Sequence, residues 1–112
     1  MASKKVTLRK HCIPCEGGVP PLSKKMAQEL LPIVPGWVLQ ETKPLKLSRV
    51  FQFKDFVQAM KFVNGVAKIA EAEQHHPDIV IHWNRVTLTL FTHAISGLSE
   101  NDFIMAKKIN EI

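Results

Sequence analysis

The chain has no long hydrophobic run. Its longest clean aliphatic stretch is Ile79 to Ile81, and a membrane-spanning helix takes about 20 apolar residues. Met1 to Lys10 carries charge with no apolar stretch behind it, so no secretory signal is expected and the default location is the cytoplasm. Cysteine is scarce, at two residues, Cys12 and Cys15. Structural zinc wants four ligands, and no second cysteine pair exists. A redox dithiol would sit near a βαβ pattern at a helix start, and neither is evident. The pair, preceded by His11, reads as two reduced thiols in an N-terminal loop, with a labile disulfide or acquired zinc left open. Internal repeats, linkers and signs of a second domain are also absent. A length of 112 residues holds one domain with a modest core.

Charge is present but unevenly spread. The formal balance is +5 with histidine neutral, and Lys4, Lys5, Arg9 and Lys10 crowd the N-terminus. An arm that attracts an anionic partner is one reading, and a solvated tail is the simpler one. No aromatics interleave with these charges, so stacking on single-stranded nucleic acid is not indicated.

Residues 1–21 are charged, then rich in Gly and Pro, and are expected to be irregular. Residues 22–112 form the domain. Ser23 is an N-cap for a short helix, Lys24 to Leu31, stopped by Pro32. Pro35-Gly36 is a turn. Trp37 to Gln40 and Leu45 to Phe53 read as strands. In the second, Leu45, Leu47, Phe51 and Phe53 share one parity, and Arg49 interrupts it by snorkelling at an edge or by a bulge.

Asp55, with Gln58 three residues on, caps the longest helix, Phe56 to about Gln74. Phe56, Ala59, Met60, Val63, Ala67 and Ala70 keep its period. Asn64-Gly65 would suit a hairpin, but the period runs through it. A mid-helix glycine costs about 1 kcal/mol, so its smallness is expected to serve a close contact. Ile79 to Trp83 and Val86 to Thr92 are the third and fourth strands, joined through Asn84-Arg85. Ser99 caps the last helix, with Asp102 placed box-like at its third position. The order α-β-β-α-β-β-α predicts an α+β domain: a four-stranded antiparallel sheet with three helices on one face.

Four of the five histidines, His75, His76, His82 and His93, fall between Glu71 and Asp102. Imidazole titrates nearest neutrality, so the cluster suggests proton traffic, metal ligation or a pH switch. Pro77 disfavours helix at His76, so a helix should end near His75. Glu71 and His75 are four apart and are expected to meet on one helix face. Val86, Leu88 and Leu90 take one strand face. Thr87, Thr89, Phe91 and His93 take the other. His82 has a parity that suits an exposed edge.

The stretch resembles the signature of the pterin-4a-carbinolamine dehydratases. Glu71, His75-His76-Pro77, Trp83, His93 and Asp102 match that pattern at every spacing, and the resemblance runs from Leu22 to the C-terminus. It implies the same two-layer fold. It implies an enzyme that dehydrates 4a-hydroxytetrahydropterin to quinonoid dihydropterin, recycling the cofactor of an aromatic amino acid hydroxylase. The pterin is the substrate, and no cofactor, metal, nucleic acid or membrane is implied.

Under that reading His75, His76 and His93 surround the pterin. His75 acts as base or proton shuttle, His93 as acid toward the hydroxyl, and His76 holds the ligand or shares the proton work. Gln74, Pro77 and Thr92 contact the substrate, and Asp102 orients a histidine or binds a polar ring edge. Glu71 and Trp83 belong to the same substrate-binding set, Trp83 as a packing wall rather than a chemical participant. Two features depart from the family pattern: Gln74 stands where an acidic residue is common, and Ile79 and Val80 stand where an aromatic often follows the proline. The resemblance also implies a homodimer or homotetramer. An alternative role is a non-catalytic dimerisation cofactor or coactivator working through helix packing, and a third is a pterin or molybdopterin-related chaperone.

Overall fold

The computed structural model describes residues 8–14 and 19–112. Lys4, Lys5 and Cys15 lie outside them. Helix α1 spans Lys24–Leu30 and runs into a 3-10 turn at Leu31–Ile33 that admits Pro32 in its first turn. Strands β1 (Val38–Gln40) and β2 (Lys46–Gln52) form a hairpin. Helix α2 is Phe56–Glu73, and strands β3 (Asp78–His82) and β4 (Arg85–Leu90) form a second hairpin. Helix α3, Glu100–Asn110, ends the order. The sheet runs β1-β2-β4-β3, fully antiparallel, with β2 and β4 central.

Period-two alternation sorts the two faces of the sheet. Leu47, Val86, Leu88 and Leu90 point inward and are wholly buried. Against them pack Ala27 and Leu30 of α1, Ala59, Val63, Val66 and Ala70 of α2, and Phe103, Met105, Ala106 and Ile109 of α3. Val38, Val50 and Val80, of opposite parity, are exposed. The three helices therefore cover one face, as the order of elements predicts.

Caps fix the helix starts. Ser23 accepts from the Met26 N–H and Asp55 from the Gln58 N–H. The Asn64-Gly65 pair makes no turn, and α2 passes through it unbroken. A Cβ at Gly65 would meet Ile112 at 3.6 Å, an ordinary contact, so no neighbour among the described residues requires glycine there.

Arg49 snorkels, but not at an edge, since β2 is a central strand. The ladder is continuous, with Arg49 opposite Leu88 and no bulge. Its guanidinium lies over the Phe51 ring at 4.5 Å and donates to Pro35 O at 3.1 Å and Asn110 Oδ1 at 2.6 Å. Gly36, at φ +89°, lets this happen, because a Cβ there would stand 2.6 Å from Arg49 Cζ.

Candidate active site

The first half of the site is the end of α2. Gln74 closes the helix in the left-handed region, with its N–H donating to Ala70 O. Its side chain turns back, Nε2 donating to Glu71 O at 2.7 Å. This reversal breaks the helical register one residue before His75, so the expected Glu71–His75 pair does not form. His76 instead folds back, its Nε2 lying 2.5 Å from Glu71 Oε2. His75 turns inward, its Nε2 2.6 Å from Asp102 Oδ1. Pro77 then carries the chain, half-buried, into β3.

The second half comes from β4 and α3. The register pairs Asp78 with Thr89, so the chain before β3 and the chain after β4 leave the sheet at the same end. Strand β4 stops at Leu90, two residues short of expectation. Thr92 makes an isolated bridge to Gly97, and His93 opens a 3-10 turn, His93–Ile95, rather than continuing the strand alternation. The bridge needs a glycine, since a Cβ at Gly97 would stand 2.5 Å from Pro21 Cβ.

Asp102 sits at the third position of α3 and is fully buried. Its Oδ2 accepts from the Ser99 N–H at 2.9 Å and from the Thr92 hydroxyl at 2.8 Å. Thr92 Oγ1 also lies 2.8 Å from Ser99 Oγ. One carboxylate thus completes a capping box and holds a histidine. With Oδ1 as acceptor, His75 Nε2 is the donor, so in the neutral ring the lone pair is on Nδ1.

The remaining predicted residues divide. His76 and Glu71 are exposed, with side chains 54% and 73% accessible. His93 is exposed and leans on the Phe91 ring at 4.1 Å between centroids, while Lys46 covers Phe91 at 4.6 Å. Thr92 is buried among its partners. Trp83 is not brought to this cluster. It occupies the β3–β4 turn, which falls at Trp83-Asn84, one residue earlier than expected, at the far end of a strand about 16 Å long. The residue is 63% exposed and its φ is +51°. His82 is exposed on the edge strand, as its parity suggests. No group of three or more His, Cys, Asp and Glu among the described residues is arranged to hold a metal ion.

Sequence reasoning missed the N-terminal arm. Residues 8–14 are docked, and Arg9 is no free tail charge, pairing with Glu100 at 2.9 Å. Glu73 accepts the Cys12 N–H at 2.7 Å and meets His11 Nδ1 at 2.8 Å. The His11 contact, then the Cys12 N–H, hold the Glu73 carboxyl below its ordinary range. Burial, then the nearby Glu73 carboxylate, push the Cys12 thiol up to about 12. The Cys12 thiol is therefore protonated at neutral pH and a poor nucleophile. An irregular stretch with no periodicity holds no signal that would have placed it.

An α+β domain with a buried carboxylate–imidazole pair and further histidines at one end of its sheet defines a class capable of acid-base work on a small ligand. Residues 20–112 match the family model described as pterin 4 alpha carbinolamine dehydratase. The chain belongs to that family. It is 48% identical over 103 residues to a Methylococcus capsulatus protein, covering 92% of this chain and 90% of that one. A Rubrobacter xylanophilus protein is 44% identical over 103 residues, covering 92% and 94%. Both carry the name "Putative pterin-4-alpha-carbinolamine dehydratase". A crystal structure from Brucella melitensis, described as a transcriptional coactivator/pterin dehydratase, superposes with a TM-score of 0.76 at 36% identity, covering 81% of this chain and 96% of that one. A pterin dehydratase-like protein described as a RuBisCO assembly factor of the alpha-carboxysome shares the fold at 24% identity and a TM-score of 0.60, covering 70% and 90%.

Proposed function

We propose that the protein catalyses the dehydration of 4a-hydroxytetrahydropterin. The observation that carries this reading is the 2.6 Å contact between His75 Nε2 and the buried Asp102, in a chain of this family. In the substrate a hydroxyl and the ring nitrogen N5 share carbon 4a. The C4a–O bond breaks as the oxygen takes a proton, N5 gives up its proton, and the new C4a=N5 bond yields quinonoid dihydropterin and water. One acid and one base suffice, each titrating near the working pH.

His75 is the base or shuttle. Asp102 fixes its tautomer and stabilises the imidazolium that forms, leaving Nδ1 to accept the N5 proton. His93 is the acid toward the leaving hydroxyl. His76, steadied by Glu71, holds the pterin edge or passes the proton on. The reading assigns no step to a metal or cofactor. It makes the protein a recycler of tetrahydropterin after an aromatic amino acid hydroxylase, in the cytoplasm, as a homodimer or homotetramer.

The test generates the carbinolamine in situ and follows quinonoid product. His75→Ala and His93→Ala are each expected to lose about 100-fold or more of the rate enhancement. Equal rates with and without the native protein would overturn the proposal. A binding role through helix packing is the second reading, supported by exposed Phe56 and Val57 at the start of α2. Co-elution with a partner's dimerisation helix, unaffected by His75→Ala, would favour it.

A further inference from the structure

Residues 9–13 touch the domain at two places that matter for the His75–Asp102 pair. One is Glu73, the last residue of α2, two before His75. It takes the Cys12 N–H at 2.7 Å and His11 Nδ1 at 2.8 Å. The other is Asn101, in the first turn of α3, immediately before Asp102. Its side-chain amide pairs with Ile13 in both directions, accepting the Ile13 N–H at 3.0 Å and donating to Ile13 O at 2.6 Å. The Cys12 thiol adds a contact to Asn101 O at 3.7 Å.

Asn101 is 2% exposed, and the Glu73 side chain 9%. Both are covered by the arm, Asn101 pairing with the Ile13 backbone and Glu73 with the Cys12 N–H and the His11 ring, so detaching the arm exchanges these hydrogen bonds for water. Ordering the arm itself costs backbone entropy at every residue, which a solubilising tail would keep. Among the described residues, the polar contacts that otherwise tie the end of α2 to α3 are His75–Asp102 at its start and a long Lys108–Glu73 contact of 3.8 Å near its far end.

We propose that this arm is a positioning element of the active site, a clasp that ties the end of α2 to the start of α3 and so sets the approach of His75 to Asp102. It rests on His75 being catalytic, as argued above. Glu73 and Asn101 act through their neighbours and touch no reacting atom. A displacement of about 1 Å in a proton-transferring group is enough to cost 100-fold in rate, so slack at either helix end is felt in the chemistry.

Ile13→Pro and Glu73→Ala in the full-length chain test this. Ile13→Pro removes one N–H from the arm and leaves α2 and α3 untouched. A Cys15→Ser background makes Cys12 alkylation the report of arm release. Well below each variant's melting temperature, Cys12 alkylation is expected to accelerate. With it, kcat should fall about ten-fold or more while KM moves less than about three-fold, and the His75 ring-nitrogen resonances should shift. Glu73→Gln keeps an acceptor for the Cys12 N–H and is expected to recover most of kcat. Accelerated alkylation with native kcat and native His75 resonances would overturn the proposal, leaving the arm a stabilising strap. If the native protein showed no dehydratase activity, the functional reading would fall, and the His75 resonances alone would decide whether the arm sets the pair.

Discussion

At one end of the β3–β4 hairpin a buried carboxylate and hydroxyl pair with a half-buried imidazole and a second hydroxyl; at the other a tryptophan ring lies in solvent on a left-handed backbone. The two ends share the same pair of strands, so the strand ladder does not explain the contrast. What differs is what arrives from elsewhere. At the site end, α3 delivers Asp102 and α2 delivers His75. At the turn end Asn84 pairs with the Phe53 backbone, and Trp83 stays exposed. Buried polar groups are tolerable only where every one finds a partner, and no buried side-chain nitrogen or oxygen among the described residues lacks one. The site end is thus the place where the fold invests in fixed geometry.

The sharpest way to break that comparison is at Asp102. Asp102→Ala would leave His75, Thr92 and the Ser99 N–H without their acceptor and remove a helix cap. The expected loss is about 2 to 4 kcal/mol of stability by denaturant titration. Asp102→Asn separates chemistry from folding. Its oxygen can still serve Ser99 or Thr92, while its amide would face His75 Nε2 and demand a lone pair there. That moves the proton to Nδ1 and removes the base. Activity is expected to fall about 100-fold to 10,000-fold with a stability change of only about 1 kcal/mol. Full activity in Asp102→Asn would mean that the buried pair is a structural cap and nothing more.

A second pair of the same chemistry sharpens the point with a smaller effect. Glu71 and His76 are as close as Asp102 and His75, but both are exposed. Solvent screening makes such a pair worth about 0 to 1 kcal/mol. Glu71→Ala is therefore expected to leave the melting temperature almost unchanged and lower kcat/KM by roughly ten-fold at most, through a less ordered His76. A loss as large as that of Asp102→Asn would show that burial is not what distinguishes the two.

How much of this was legible varies by element. The sheet and its inner face were readable because alternation is a local property: Leu47, Val86, Leu88 and Leu90 announce themselves by parity. Asp102 was readable as a cap, since the Ser99-to-Asp102 spacing carries that meaning, and its site role came only with the resemblance. The Glu71–His75 pairing was misread because an i to i+4 argument assumes the helix persists, and Gln74 ends it. Ramachandran reversal at a non-glycine residue leaves little trace in sequence. Glu73 and Asn101 were invisible for another reason. Their partners lie 61 and 88 residues away in an aperiodic arm, and no local pattern encodes such contacts.

The smallest expected effect concerns Trp83. The sequence pattern assigns it to the substrate's surroundings, and within one chain it is a strand length from His75. Its backbone φ of +51° is costly for any residue with a bulky side chain, at about 1 to 2 kcal/mol. Trp83→Asn relaxes that conformation, because asparagine enters the left-handed region more readily. If the turn end is only a turn, the variant keeps kcat/KM within about two-fold of native and gains up to about 1 kcal/mol in denaturant titration. A clear loss of kcat/KM in a variant that folds at least as well would say the opposite. It would place the exposed ring against the site of a second copy, and the strain at Trp83 would then be maintained because the assembled protein uses it.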